Sequence, residues 1–304
     1  MHEPRLHHVP VLRGRAVQRM AYWEWGDAAK PDVLVCVHGV SRQGRDFDVF
    51  ARAMSDRYRV VAPDVFGRGE SDWLPDPSGY QVPHYAADMV ALIARLGVDS
   101  VHWVGTSMGG LIGLVVAALG NSPVTRLVLN DVGPQIRADA VSRIATYLGQ
   151  PVHWATEQEA ADALWQLSTG FGPHTPEQWL DLTRPMVVPA SQRSADGAAK
   201  VDAPAGADGP WMLHYDPALA VGLRAITPEA AAQGGAIMWG LYDAITARVL
   251  VTRGAQSDLL SRETAIAMTQ RGPHAALIEF EGVGHAPTFV DPAQAAVVAD
   301  FLFD

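Results

Sequence analysis

The residues best equipped for chemistry lie in Gly-Thr-Ser-Met-Gly at 105–109, followed by Gly110. An apolar run at 101–104 precedes them and a nearly all-apolar, helix-length stretch at 111–119 follows. A serine at a strand-to-helix turn must adopt strained backbone angles to lift its hydroxyl above the sheet. Glycines two residues before and two after it leave room for the neighbouring chain. The start of the helix also offers backbone N–H groups to a developing negative charge. This context marks Ser107 as a nucleophile rather than an incidental serine in a glycine-rich turn. A phosphate loop is excluded, because no Lys-Ser or Lys-Thr follows the glycines.

A serine hydroxyl is a weak nucleophile until a base takes its proton. His285 is the candidate base. It stands in Gly-Val-Gly-His at 282–285, just after the apolar run at 277–280, where two glycines permit a tight loop that carries the imidazole over the sheet edge. The base in turn needs a carboxylate to orient it. Asp258, in Gly-Ala-Gln-Ser-Asp-Leu-Leu after the run at 249–252, is favoured on chain order and strand-end placement. Asp131, in Leu-Asn-Asp-Val-Gly-Pro at the end of the run at 124–130, is the alternative. Its competing role is to tie a strand end to the segment that follows.

His-Gly-Val at 38–40, Asp-Val-Phe-Gly-Arg-Gly-Glu-Ser at 64–71, the serine turn and Gly-Val-Gly-His-Ala-Pro at 282–287 occur in the order found in α/β-hydrolases. The chain resembles that family over nearly all its length outside the middle section. The resemblance implies that His38 supports the oxyanion loop and is not the base. It also implies that residues 64–71 brace the floor of the site, with Gly67 and Gly69 making the turns. Met108, the residue after the nucleophile, is assigned as one oxyanion donor through its backbone N–H. Val40, after His38-Gly39 as in related esterases, is assigned as the second. Arg42 and Gln43 follow closely; such residues are commonly exposed, yet Arg42 is kept as a candidate for binding substrate.

Short apolar runs that alternate with helix-period segments predict the elements that hold these residues: a mostly parallel sheet flanked by helices. Strands are expected at 33–37, 58–62, 101–104, 124–130, 249–252 and 277–280, and helices at 47–54, 85–96, 111–119, 262–270 and 292–301. Residues 17–25 alternate in the manner of an antiparallel edge strand. Residues 133–240 interrupt the alternation with a mostly helical pattern. The expectation is therefore an α/β-hydrolase fold with a core of residues 1–132 and 241–304 and an inserted helical cap at 133–240. Five of the nine tryptophans fall in the cap, at Trp154, Trp165, Trp179, Trp211 and Trp239. Trp211 and His214 are candidates for its pocket wall. Within the cap, residues 189–210 carry few bulky apolar side chains, and a mobile loop is expected there.

Hydrophobic residues make up 48% and charged residues 18% of the 304 residues, a globular balance. The net charge of −10, with no Lys/Arg cluster, argues against nucleic acid or an anionic membrane surface as partner. No run is apolar and long enough for a membrane span, and the N-terminus lacks the apolar stretch of a secretory signal. The lone Cys36 sits in an apolar run and reads as a small buried hydrophobe. A cytoplasmic protein is expected. Of the eleven histidines, His2, His7 and His8 crowd an N-terminus expected to fray, and none of the others has metal-ligand spacing. No metal and no cofactor is expected.

The resemblance with serine as nucleophile argues against the haloalkane dehalogenase and epoxide hydrolase branches, which use aspartate there. The expected reaction is hydrolysis of a carboxylic ester of a small or medium, fairly apolar molecule through an acyl-enzyme. The alternatives are an enol-lactonase or C–C bond hydrolase of an aromatic-degradation pathway, a thioesterase, or a ligand receptor that keeps the fold without catalysis. A lactonase or C–C hydrolase would hold a substrate carboxylate with arginine, for which Arg42 is the candidate.

Overall fold

The computed structural model describes residues 3–192 and 210–304. Among these residues the main sheet has eight strands: β1 (Arg5–Arg13), β2 (Ala16–Trp25), β3 (Val33–Val37), β4 (Arg59–Pro63), β5 (Val101–Thr106), β6 (Val124–Asn130) and, after three short strands described below, β10 (Arg248–Gly254) and β11 (Ala276–Phe280). Their order across the sheet is β1-β2-β4-β3-β5-β6-β10-β11. All neighbours from β4 to β11 run parallel, whereas β1–β2 and β2–β4 are antiparallel.

The strands nearest the centre read as continuous apolar runs because both their faces are covered. β3 shows this residue by residue. Val33, Val35 and Val37 pack on the side of helices α2 (Val82–Leu96) and α3 (Met108–Ala117), while Leu34 and Cys36 pack on the side of α1 (Asp48–Met54) and α10 (Pro292–Phe303). Successive side chains of a strand point to opposite faces, so one short run serves two helical layers.

Residues 5–13 do not fray. β1 pairs with β2 through nine residues, from Arg5 opposite Glu24 to Arg13 opposite Ala16, and His7 stacks on Tyr22. Val9 and Val11 enter the core. β1 is thus the edge strand and β2 an interior one, which corrects the sequence expectation for both.

Between β6 and β10 lie α4 (Ala138–Tyr147), α5 (Glu157–Ser168), α6 (Pro176–Thr183), α7 (Leu219–Arg224) and α8 (Pro228–Asp243). The same insertion contains a small antiparallel sheet, ordered β7 (His153–Trp154), β9 (Trp211–Leu213), β8 (Val187–Pro189). The insertion is mostly helical, and its small sheet escaped the sequence because strands of two or three residues are too short to show alternation. α8 packs on α3 and its Tyr242 is fully buried in the main core, so this helix runs through the expected boundary at residue 240 into the core layer. The mobile loop expected at 189–210 falls on residues 193–209, which lie outside the described residues. No helix among the described residues is long and apolar enough to cross a membrane.

Candidate active site

Ser107 joins β5 to α3 with φ 53° and ψ −117°, a conformation that L-residues rarely adopt. The chain packing around it explains the flanking glycines. A Cβ on Gly105 would overlap the Gly109 carbonyl, and a Cβ on Gly109 would overlap that of Val37. The Ser107 N–H is anchored to the Asn130 carbonyl of β6 at 3.0 Å, and Gly110 N–H returns to the Ser107 carbonyl at 2.9 Å. The turn is tight on every side, and it presents the Ser107 side chain to a cavity.

His285, in the loop after β11, meets Ser107: its Nε2 is 3.0 Å from Oγ. Its Nδ1 is 2.7 Å from Oδ2 of Asp131, not from Asp258. Asp131 follows β6 directly, is fully buried, and has φ 55°. Its carboxylate is held from two further directions, by the Gly254 N–H to Oδ1 at 3.0 Å and by the Ser257 hydroxyl to Oδ2 at 2.6 Å. Asp258 is half-exposed and its Oδ2 pairs with Arg143 Nη2 at 2.7 Å. The assignment of Asp258 beside the histidine is therefore corrected. The loop after β10 turns so that Ser257 faces Asp131, and the next side chain faces away.

Asn130 links the ends of the neighbouring strands. Its amide donates to Thr106 Oγ1 at 2.9 Å and to the Pro287 carbonyl at 2.7 Å, while its Oδ1 accepts from Thr252 Oγ1 at 2.9 Å. The histidine loop is thereby fastened to β5, β6 and β10 together. Neither Asn130 nor Ser257 was singled out from the sequence. The only signal for them was adjacency to the two candidate aspartates.

The loop at 38–42 passes against the nucleophile. His38 is fully buried; its Nε2 accepts from the Val65 N–H at 3.0 Å, which leaves Nδ1 to donate to the Gly39 carbonyl at 2.7 Å. Burial pushes its pKa down to about 3, with the Arg68 charge acting in the same direction, so the ring is neutral. The Gly39 carbonyl also accepts from the Arg42 N–H at 3.1 Å. Across a trans peptide the N–H points opposite to the carbonyl, so the Val40 N–H is turned away from both donors. Among the described residues neither the Val40 nor the Met108 N–H donates to a protein acceptor.

Arg68, from the motif read as a floor brace, is 1% exposed. Its Nε donates to the Val40 carbonyl at 2.9 Å, its Nη1 to the Phe66 carbonyl at 2.7 Å and to the Tyr85 hydroxyl at 2.8 Å, and its Nη2 lies 3.4 Å from Met108 Sδ. One guanidinium thus touches both residues whose N–H groups were assigned to an oxyanion. Asp64 is fully buried and accepts from the N–H groups of Gly44 at 2.7 Å and Glu70 at 2.9 Å, which ties the two loops together.

The family model for the alpha/beta hydrolase fold matches residues 32–292. The chain belongs to this family. It is 53% identical over 300 residues, 98% of each chain, to a 3-hydroxybutyrate-oligomer hydrolase of Cupriavidus necator. A crystal structure of an α/β hydrolase from Novosphingobium aromaticivorans superposes with a TM-score of 0.82 at 32% identity, covering 99% of each chain. A hydrolase structure from Rickettsia typhi, at 24% identity and a TM-score of 0.82, shares the fold over 99% of each chain.

The cavity of this α/β hydrolase, about 370 Å³, is roofed by the insertion: Ile144 and Tyr147 of α4, Leu164 and Leu167 of α5, then Phe171, Met186, Leu213 and Tyr215. Ser107 and His285 line it from the core. Arg42 also lines it but is buried, with Nε at 2.9 and 2.7 Å from the Asp46 carboxylate and Nη2 donating to the Leu182 carbonyl at 3.0 Å. Gln43 is buried as well and donates to the Pro185 carbonyl.

Trp211 and His214 are not among the described residues that line the cavity, which corrects that expectation. Backbone alternation turns Leu213 and Tyr215 inward and His214 to the other side, 3.7 Å from Glu70. Trp211 pairs with Trp154 in the small sheet, and it is Trp154 that reaches the cavity. Among the described residues no group of three or more His, Cys, Asp or Glu could hold a metal ion.

Proposed function

We propose that this hydrolase cleaves ester bonds of short 3-hydroxybutyrate oligomers, with Ser107 as nucleophile, His285 as base and Asp131 as the orienting acid. The observation that carries the reading is the unbroken line of hydrogen bonds from Asp131 through His285 to Ser107 at the wall of a mainly apolar cavity. The substrate class is carried over from the Cupriavidus necator relative, which matches nearly the whole chain. Such an ester is neutral along its length and carries a methyl branch on each unit, which suits apolar walls.

In this reading Asp131 accepts the Nδ1 proton of His285, so Nε2 is left free to take the Ser107 proton as Oγ attacks the ester carbonyl. The tetrahedral oxyanion is received by the backbone N–H groups of Val40 and Met108. His285 then gives its proton to the departing alcohol, and a water activated by the same nitrogen releases the acid from Ser107. The insertion between β6 and β10 acts as a cap that excludes bulk water and shapes the acyl and alcohol subsites. No cofactor takes part. We assign the reaction to the cytoplasm, where a lone buried thiol such as Cys36 stays reduced.

The test is incubation of the purified protein with the linear dimer and trimer of 3-hydroxybutyrate, with free 3-hydroxybutyrate followed by chromatography. Release of monomer that vanishes in Ser107→Ala is expected. Turnover of p-nitrophenyl butyrate without any release from the oligomers would keep the serine hydrolase and discard the substrate.

A further inference from the structure

We propose that Arg143 is the counter-charge for the free carboxylate of the substrate acid, with Asp258 holding its guanidinium until that acid arrives. The proposal rests on the oligomer reading above, because an oligomer of a hydroxy acid ends in a carboxylate that must lie near the cleaved bond in the shortest substrates. The chain as a whole is acidic, at −10, so such an anion needs a local cation to enter the cavity.

Among the described residues two arginines line the cavity, Arg42 and Arg143. Arg42 is committed. Its side chain is 10% exposed, and its Nε and Nη2 are taken by the Asp46 carboxylate and the Leu182 carbonyl. Removing one partner of such a buried pair is costly, because it strands the other charge. Arg143 differs on each count. It projects from α4, whose Ile144 and Tyr147 line the same cavity, and its side chain is 43% exposed. Its carboxylate partner, Asp258, is 49% exposed and is not one of the cavity-lining residues. The cation therefore faces the cavity while its anion stands outside.

An ion pair this exposed contributes little to stability, so a ligand carboxylate can share or replace Asp258 with little loss. The guanidinium fork binds a carboxylate through two parallel N–H groups, a geometry that lysine or an amide cannot reproduce.

The pair could instead serve as a brace between α4 and the loop after β10. The two roles predict different signs. Loss of either partner breaks a brace equally. For a carboxylate site, Arg143→Gln removes the counter-charge, whereas Asp258→Asn removes its competitor. The experiment compares kcat/KM for the free-acid trimer with that for its methyl ester in the native protein and both variants. A parallel arm measures inhibition of p-nitrophenyl butyrate hydrolysis by 3-hydroxybutyrate and by methyl 3-hydroxybutyrate.

The acid-to-ester ratio is expected to fall about tenfold in Arg143→Gln, the scale of a charge-assisted hydrogen bond, and to rise in Asp258→Asn. Inhibition by the acid should weaken in the first variant and strengthen in the second. Shifts of the same sign in both variants, or no shift in either arm, would overturn the carboxylate site. Failure of the native protein to cleave any oligomer, with inhibition by the acid still tracking Arg143, would instead remove the substrate reading and leave the anion site standing.

Discussion

Asp131→Asn should lower kcat by about 10⁴, the scale seen when the acid of a serine protease triad is made an amide, and the geometry states why. The carboxylate is fully buried and receives donors on both oxygens: the Gly254 N–H on Oδ1, the Ser257 hydroxyl and His285 Nδ1 on Oδ2. An amide has two orientations in that nest. If its NH₂ replaces Oδ2, it faces Nδ1 as a donor. His285 must then move its proton to Nε2, where it can no longer take one from Ser107. If the NH₂ replaces Oδ1 instead, it opposes the Gly254 N–H and leaves a buried donor unpaired, at about 1–3 kcal/mol.

The first orientation costs activity and the second costs stability, and the first should dominate because it keeps the Gly254 N–H paired while His285 can change tautomer to accept the amide N–H. A thermal melt alongside p-nitrophenyl butyrate kinetics, normalised to sites titrated by a fluorophosphonate, separates the two. Asp258→Asn breaks only a half-exposed pair with Arg143 and should leave turnover of that neutral ester within a few-fold, with stability changed by at most about 1 kcal/mol. If Asp131→Asn kept more than a tenth of native turnover while Asp258→Asn lost a thousandfold, Asp131 would not be the orienting acid.

Arg68→Met should lower kcat by about ten- to a hundredfold with KM held within about threefold, since it frees the Val40 carbonyl and the loop that presents the proposed oxyanion donor. Arg68→Lys should restore part of the loss, and a change confined to KM would contradict this positioning role. His38 provides a pH prediction. Unfolded, the ring takes a proton near pH 6.5, whereas the folded protein refuses it until about pH 3, so its contribution is complete above pH 6.5 and falls as pH drops through that window. The slope is about 1.4 kcal/mol per pH unit. Asp64, pushed up to about 7 by burial, contributes the opposite slope between about pH 4 and 7, so the readout is the difference between native and His38→Gln urea midpoints. Parallel midpoint curves would refute the claim. Activity should persist in excess EDTA; loss on chelation with recovery on adding a divalent ion would reveal a metal dependence.

Much of the core was legible because each element is decided by residues within it. β6 at Val124–Asn130 and the helix α9 at Arg262–Gln270 have the predicted bounds, the one set by a run of apolar residues and the other by helix period. β1 was missed although Val9 and Val11 alternate into the core, since histidines and Pro10 obscured the pattern. The small sheet β7-β9-β8 could not be found by periodicity, because its strands bring only two or three residues each and gain their pairing from one another.

The site divides along the same line. Ser107 and His285 lie in short glycine-bearing motifs, Gly105 and Gly109 demanded by close packing and Gly282 by its φ of 74°, and sequence sufficed to bring these two side chains together. The acid does not. Asp131 and Asp258 both follow a strand of the sheet, and their order along the chain relative to Ser107 and His285 is the same. What separates them is the turn of one loop, which brings Ser257 to the Asp131 carboxylate and turns the neighbouring side chain to Arg143. Arg68 makes the complementary point. Its motif was read as a floor brace, and it does join loops. Yet a buried guanidinium that meets the Val40 carbonyl and Met108 Sδ at once couples the two halves of the proposed oxyanion site through a single rigid fork. The donors can then be fixed before the charge develops, which is the condition for electrostatic stabilisation to be effective.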